Sequence, residues 1–547
     1  SVFIQFGAHA SHIRGGSITY ECVGGNFVFQ LIVYRDCNGA DLSNISQQLK
    51  LWNHPTLSSI TLDFESRIDI SPFGLEVPGG PACFECGSGA NAGNGLGAIE
   101  KVVYRSAPTN ISGVPPTEGW IFTYDNFSRS PIITNLQNPD TYGLTLVAKI
   151  FNVNATNNTC VDNSPQFLQE PHFVSCAGRP FSMNLNTVDP DLDSIAISFD
   201  QPLDDLGGQN YNPPSNPVAV PFQVGFDVNS PTPNTTANPG NVSAQVNSNS
   251  GEITFVSFTT GSFVIKLKAR SYRNGQLISE VEHEMQIEVT NCLGANNPPS
   301  ITPPFGGLFE TTISAGDAVN FTLNSSDVEL LQDGSPQQNF INPTGLLFGT
   351  NSTSTTGCII EPCATVSSVP PISGVQGATL DFNWQTSCDH VVNSNGIALD
   401  VVPYYFVFRV QDNFCPVPQV VYTTVTINVV NENVIQAPAI DCIQGNGAGD
   451  FTLNWQPVLD PAGSFVEYQI HSVQDGLLGT IPTVGTNTFT HFGVTQETDY
   501  FIAVVSGCGG NATRYSDTIT GIFLTVDDLN PGTAVLNWNN PLLTPTA

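Results

Sequence analysis

A chain of 547 residues with 40% hydrophobic content is too long for a single core and divides into about four domains. Its 15 Lys plus Arg against 47 Asp plus Glu give a net charge of -32, which excludes binding driven by counterion release from nucleic acid and argues against anionic membrane surfaces. Forty-nine Gly, 40 Pro and only two Met favour short strands joined by turns over helices, and no run of eighteen apolar residues is present to cross a bilayer as a helix.

In chain order, Ser1–Gly7 (SVFIQFG) reads as the tail of an apolar export-signal core and Ala8-His9-Ala10 as a small-x-small cleavage site, so residues 1–10 are a signal remnant and the mature chain is expected to start near Ser11. The competing reading is an ordinary apolar strand. Residues 11–161 form the first expected sandwich, with strands over 17–22, 27–35, 59–70, 99–105, 119–124 and 142–151, several of them alternating apolar and polar residues as half-buried strands do. The Gly-rich stretch 87–97 (GSGANAGNGLG) has no helix pattern behind it and reads as a loop, not a nucleotide site.

Residues 162–292 form the second expected sandwich, with strands near 181–185, 194–199, 222–226, 253–258, 261–272 and 276–289; Asn274-Gly275 marks a hairpin between the last two. Glu280, Glu282 and Glu284 fall on one face of the final strand and read as a solvated face, with a catalytic carboxylate cluster as the alternative. A third sandwich, 293–435, expected to be cadherin- or PKD-like, opens around Asn296-Asn297-Pro298-Pro299 and ends in hydrophobic strands over 403–410 and 420–430. Residues 436–525 resemble a fibronectin type III module, with Phe451–Trp455 as strand B, Val466–Ile470 as strand C, Asp499–Val504 as strand F, and Trp455 and Tyr500 in the core. Leu536-Asn537-Trp538 repeats Leu453-Asn454-Trp455, so a further, interrupted module is expected over 526–547 and the chain reads as a fragment of a longer one.

Thirteen Cys in an exported β-rich chain read as disulfides with one left over. Within the third segment Cys358 is expected to pair with Cys363 and Cys388 with Cys415, although four cysteines allow three connectivities; Cys442 and Cys508 are counted among the bonded cysteines. Cys83 and Cys86 have the spacing of a zinc knuckle, but no second knuckle or nearby His completes it. There is no G-x-S-x-G, H-E-x-x-H, Walker or Rossmann motif, and the eight His are scattered singly, so no catalytic activity is expected. The one metal candidate is Asp189-Pro190-Asp191-Leu192-Asp193, where alternating carboxylates on a turn can converge on calcium, with Asp327 and Asp412 as analogous positions in the next segment. The competing reading is an Asp-rich turn that satisfies its own backbone amides. No other cofactor is expected.

The stretches SHIRGGSITYECVGGNFVFQLIVYRDCNG from Ser11, GWIFTYDNFSRSPIITNLQNPDTYGLTLVAKIF from Gly119, NSPQFLQEPHFVSCAGRPF from Asn163 and TTGSFVIKLKARSYRNG from Thr259 together resemble a family of long Bacteroidota surface proteins exported by the type IX secretion system and often labelled gliding-motility-associated. The resemblance implies Sec export, then passage through an outer-membrane β-barrel translocon, guided by a C-terminal sorting domain that is not among these residues. That translocon and its associated barrel proteins are the implied partners, with surface adhesins or glycans as further ones. Many relatives carry extra cysteines where this chain has Asn126-Phe127-Ser128, so pairing in the first segment rests on choice: Cys22 with Cys37, Cys83 with Cys86, Cys160 free, and Cys176 with Cys292 closing the second segment. Asp193-Ser194-Ile195 and Asp517-Thr518-Ile519 look like O-glycosylation acceptors of that phylum, at Ser194 and Thr518. The expectation is an all-β, extended tandem array of antiparallel β-sandwich (immunoglobulin-like and fibronectin III-like) domains at the cell surface, outer-membrane associated. Its expected role is non-enzymatic, in adhesion or as a scaffold of the gliding machinery. The alternatives are a glycan-binding array for polymer capture, or an accessory part of a large secreted hydrolase whose catalytic domain lies beyond residue 547.

Overall fold

The computed structural model describes residues 13–539 except 43, 73–82, 96, 153–159, 161, 293–295, 393–398, 416, 432–434, 447–448, 461–462, 509–511 and 531; the expected signal remnant and Ser11 lie outside the described residues. Those described form strands and three short 3-10 turns, with no α-helix.

The first strands are β1 Ile13–Val23, β2 Asn26–Asp36, β3 Gln47–Trp52, β4 Ser59–Asp69, β5 Ile99–Ser106, β6 Trp120–Asn126 and β7 Leu144–Ile150. They are followed by β8 Gln166–Phe167, β9 Val174–Cys176, β10 Pro180–Met183, β11 Thr187–Val188, β12 Ser194–Phe199, β13 Val242–Val246, β14 Ile253–Val256, β15 Gly261–Arg273 and β16 Gln276–Thr290. One sheet runs β1-β2-β5-β4-β3-β6-β7-β16-β15-β12, with β9 parallel to the end of β16. The 15-residue β16 meets β7 through Ser279–Val281 and β1 through His283–Met285. It therefore stitches the last and first strands of the N-terminal sheet together and rolls it closed. The boundary expected at 161/162 does not separate two sheets: β16 belongs to both halves, and Phe29, Trp120 and Leu146 share one core with Ile265, Met285 and Ile287. Gly15 and Gly16 permit the closure, since a Cβ would stand 1.9 Å from the Glu284 carbonyl oxygen at Gly15 and 2.3 Å from that of Ile32 at Gly16. At the tip of β15–β16, Asn274 and Gly275 both take positive φ, the backbone a two-residue hairpin needs. The strand expected near 222–226 is replaced by isolated bridges and turns.

The next unit comprises β17 Ser300–Thr302, β18 Glu310–Ser314, β19 Ala318–Ser326, β20 Gln338–Thr344, β21 Thr365–Val366, β22 Ile372–Val375, β23 Thr379–Gln385, β24 Val401–Gln411 and β25 Val420–Val430. Its sheets, β17-β19-β23-β21 and β18-β25-β24-β20-β22, enclose Phe321, Phe382, Trp384 and Phe406, with Phe321 and Phe382 stacked at 4.5 Å. This sandwich leans on the first unit. Val407, Val417, Val420 and Tyr422 join the first unit's core, and the Asn184 amide donates to Thr424 Oγ1 at 2.8 Å.

In the following module Ile440–Gly445, Phe451–Trp455 and Thr488–His491 form one sheet, while Gly476–Ile481, Glu467–Ser472, Asp499–Ser506, Ala512–Tyr515 and Ile519–Thr520 form the other. Trp455 and Tyr500 are buried between them. A last hairpin pairs Leu524–Asn530 with Thr533–Trp538. Its Trp538 is 66% exposed, where the matching Trp455 is 1% exposed.

The disulfides differ from several expected pairs. Cys22 bonds Cys160, Cys37 bonds Cys86, Cys83 bonds Cys415, Cys176 bonds Cys292, Cys358 bonds Cys363 and Cys388 bonds Cys508. Cys22 cannot reach Cys37: it faces Phe27 at the turn end of the β1–β2 hairpin, whereas Cys37 follows Asp36 at the far end, about 30 Å away at the rise of a strand. Cys388 and Cys415 likewise flank the 11-residue β24, so each turns outward to a neighbouring unit. Cys86 does not take Cys83, because its loop folds onto Cys37, whose carbonyl accepts from the Ala92 and Gly93 amides. Cys160, expected free, is bonded, and Cys442, expected bonded, is free and exposed.

Candidate functional site: buried charge in the rolled sheet and at the unit junctions

The acidic row on β16 is buried, contrary to its reading as a solvated face. Glu280, Glu282 and Glu284 are all buried because Arg129 and the segment from Asp200 lie over that face: Arg129 pairs with Glu284 and donates to the Leu203 carbonyl, while Asp200 holds Lys268 at 2.9 Å. Lys266 meets Glu282 at 2.7 Å, and both Lys149 and Arg270 meet Glu280 at 2.8 Å. Burial nonetheless pushes the Glu282 carboxyl up to about 7 against the attraction of Lys266. At Glu280 burial also raises, but Lys149 and Lys268 outweigh it and hold the carboxyl below its usual value. Each acid is answered by a cation, so the row fixes strands in place. Nearby, Arg14 is buried between Asp36 at 2.5 Å and Glu288 at 3.7 Å, which ties β1, β2 and β16 together at the seam. His172 and His283 are buried and neutral, burial holding each at about 3.

The expected calcium turn converges on an arginine. Carboxylate oxygens of Asp162, Asp191 and Asp193 lie within 4.8 Å of one another. Arg273, presented by the Asn274-Gly275 hairpin, reaches Asp193 at 2.5 Å, Asp162 at 2.8 Å and Asp191 at 3.7 Å. The guanidinium thus supplies the positive charge there. Asp189 faces elsewhere: it accepts from Ser271 Oγ at 2.6 Å and from the Asp191 amide at 2.9 Å, the self-satisfying turn of the competing reading. Burial pushes Asp189 up to about 7, and burial with Asp189 and Asp191 pushes Asp162 to about 9 despite Arg273. Asp162 and Arg273 enter this cluster although the alternating-Asp pattern of residues 189–193 includes neither. Across the hairpin Arg270 stands opposite Glu280, Lys268 opposite Glu282 and Lys266 opposite Glu284 because the register shifts by one residue between Ser271 and Tyr272; a plain count back from Asn274-Gly275 would set Arg270 opposite Ser279 and Lys268 opposite Val281.

Asp327 and Asp412, the analogous positions, lie at one end of the third sandwich. Asp412 accepts from the Phe414 amide at 2.9 Å, the Gln419 amide at 3.1 Å and Asn296 Nδ2 at 2.7 Å. Burial pushes its carboxyl up to about 8. A cleft of about 390 Å³ separates β11–β12 from β24, lined by Leu192, Leu347, Val402 and Tyr405 with Asp193 and Ser194 on its polar side. Ser194 and Thr518, the candidate acceptors, are exposed, Ser194 Oγ donating to the Tyr272 carbonyl at 3.1 Å.

No family model and no curated protein matches the chain. Solved structures show partial likeness. They include titin domains (TM-score 0.15, 10% identity, 65% of this chain and 97% of that one) and the chicken CNTN1 FN1-FN3 domains (0.15, 8%, 65% and 97%). The N-terminal four Ig domains of Dscam1 isoform 4.4 give 0.19, 11%, 89% and 98%. TM-scores of this size establish no common overall arrangement.

Proposed function

We propose that the chain is a non-enzymatic surface scaffold or adhesin, exported by the type IX route, whose sandwich units are clamped to one another so that a binding element is held at a fixed distance from the membrane. The observation that carries this reading is the pair of long-range bridges: Cys83–Cys415 ties the rolled sheet to the next sandwich, and Cys388–Cys508 ties that sandwich to the fibronectin-like module. Covalent ties between successive units oppose their separation under pull, which a flexible linker does not. Six disulfides belong to an oxidising compartment, and the ionic groups of the rolled sheet are paired internally, which suits a structural role over catalysis. The sequence resemblance supports the type IX route and names the outer-membrane translocon barrel as partner. A glycan-capture reading is favoured by one feature, the cleft that carries Tyr405 beside Asp193.

Affinity purification of the full-length protein from envelope membranes, with protease shaving of intact cells, tests the proposal. Recovery at the cell surface with barrel components is expected. Recovery from the medium alone would overturn the scaffold reading, and selective retention on a glycan array would favour capture.

A further inference from the structure

Thirteen of the 15 Lys and Arg precede residue 293, and the ion pairs traced above lie between residues 14 and 288. From 293 to 435 Arg409 is the one basic residue, against eleven Asp and Glu. Two of those acids are buried, Asp412 at 0% and Asp327 at 5% exposure, and neither has an ion-pair partner among the described residues. Buried carboxylates persist when a cation or a full set of donors answers them.

The surroundings supply too many acceptors. Ser325 and Asp327 leave the end of β19 two residues apart, and Gln337 and Asn339 stand two apart at the start of β20, so each pair shares a face. The backbone of Gln376 joins the two: the Asp327 amide donates to the Gln376 carbonyl at 3.0 Å, and the Gln376 amide donates to that of Gln337 at 2.8 Å. Asn339 Nδ2 donates to Ser325 Oγ at 3.1 Å. Gln337 Nε2 donates to Asn296 Oδ1 at 2.8 Å, and Asn296 Nδ2 in turn donates to Asp412 at 2.7 Å. Three buried atoms in this chain of contacts have no hydrogen-bond partner: Asp327 Oδ2, Gln337 Oε1 and Asn339 Oδ1. All three are oxygens, and Gln337 and Asn339 are both 0% exposed. Three orphaned buried oxygens, one of them a carboxylate oxygen, beside the second buried carboxylate of Asp412 that amides hold in place, with no nitrogen or sulfur ligand among them, have the chemistry of a hard divalent cation site. Water can donate to one or two of the oxygens but leaves the charge unanswered.

We propose that Asp327, Asp412, Gln337 and Asn339, with Asn296 orienting the last turn of the linker, form a binding site for one calcium-sized divalent cation at the end of the third sandwich. Calcium suits it better than magnesium, which keeps several of its waters and demands near-octahedral geometry. The site lies beside the bridge between units: Asp412 is three residues from Cys415, and Gln332 donates to the Cys415 carbonyl at 3.1 Å. A bound cation fastens the linker at Asn296 to the turn after β24. This goes beyond the surface-scaffold reading and does not depend on it. The Asp162 cluster differs because Arg273 already occupies its centre.

The test is calorimetric titration of the full chain with calcium chloride after chelator treatment, together with thermal melts. One calcium per chain is expected, with a rise in melting temperature that magnesium does not reproduce at equal concentration. Asp327→Asn and Asp412→Asn are expected to lower calcium affinity by about tenfold or more, while Asp191→Asn leaves it unchanged. Should Asp412→Asn fail to fold, Asp327→Asn carries the comparison, since the Asp327 carboxylate holds only the Glu329 turn amide. No binding heat and no melting shift with wild-type protein would overturn the proposal, as would undiminished binding by Asp327→Asn.

Discussion

The rolled sheet of residues 13–290 and the sandwich of residues 300–430 both bury carboxylates, and they deal with the charge in opposite ways. On β16 the acids face cations set in strand register or brought in by covering loops, so Glu280, Glu282 and Glu284 are neutralised by residues of the chain itself. Asp412 is held by amide donors, while Asp327 Oδ2, Gln337 Oε1 and Asn339 Oδ1 have no hydrogen-bond partner among the described residues. Two β-units of one chain thus bury carboxylates against different partners, Lys and Arg in the first and amide donors in the second.

The strongest way to break this contrast is to make the first unit resemble the second. Lys266→Ala strands Glu282 in the core and is expected to cost about 3–5 kcal/mol, read as the loss of the rolled sheet's transition in chemical denaturation. Restoring most of that stability with Lys266→Met plus Glu282→Gln would confirm that charge, not packing volume, carries the effect. Gly15→Ala attacks the seam itself, because its Cβ would meet the Glu284 carbonyl oxygen and its φ is +133°. A cost of about 2–3 kcal/mol is expected from strain and overpacking, in the same transition.

A smaller effect comes from pH. Burial raises the Glu282 carboxyl to about 7, above the roughly 4.3 of an unfolded Glu. The folded state then binds the proton more tightly than the unfolded chain, so this stability is fully present below the unfolded value and is lost as pH rises towards 7. The melting temperature of the rolled sheet should fall between pH 5 and pH 8, less steeply in Glu282→Gln; an identical slope in the variant would remove Glu282 as the source. At the small end, Cys442→Ser should leave both transitions unmoved, since that thiol is exposed and unbonded.

How far the sequence reveals these features depends on how local they are. The all-β character, the Asn274-Gly275 hairpin and the two-sheet module of residues 440–520 are carried by alternation and turn residues within a few positions of one another, so Trp455 and Tyr500 could be placed in a core from their strands alone. Closure by β16 was hidden because its partner β1 lies more than 260 residues away in the chain and nothing in a local pattern names a distant edge. The Glu row was misread because an acidic period-two strand looks the same whether water or cations face it. Lys266, Lys268 and Arg270 come into register with those acids through the bulge at Ser271 and Tyr272, which a count back from the turn does not reveal. The cysteines teach the same lesson in reverse. Cys22 and Cys37 sit at opposite ends of a hairpin that was itself legible, so strand length could have excluded that pair, but nothing in the sequence points from Cys83 to Cys415.

The bridges between units carry the scaffold proposal, and peptide mapping of the non-reduced protein by mass spectrometry addresses them directly. Linked peptides joining Cys83 to Cys415 and Cys388 to Cys508 are the expected result. Peptides joining Cys83 to Cys86 and Cys388 to Cys415 would leave the units covalently independent and contradict a clamped scaffold.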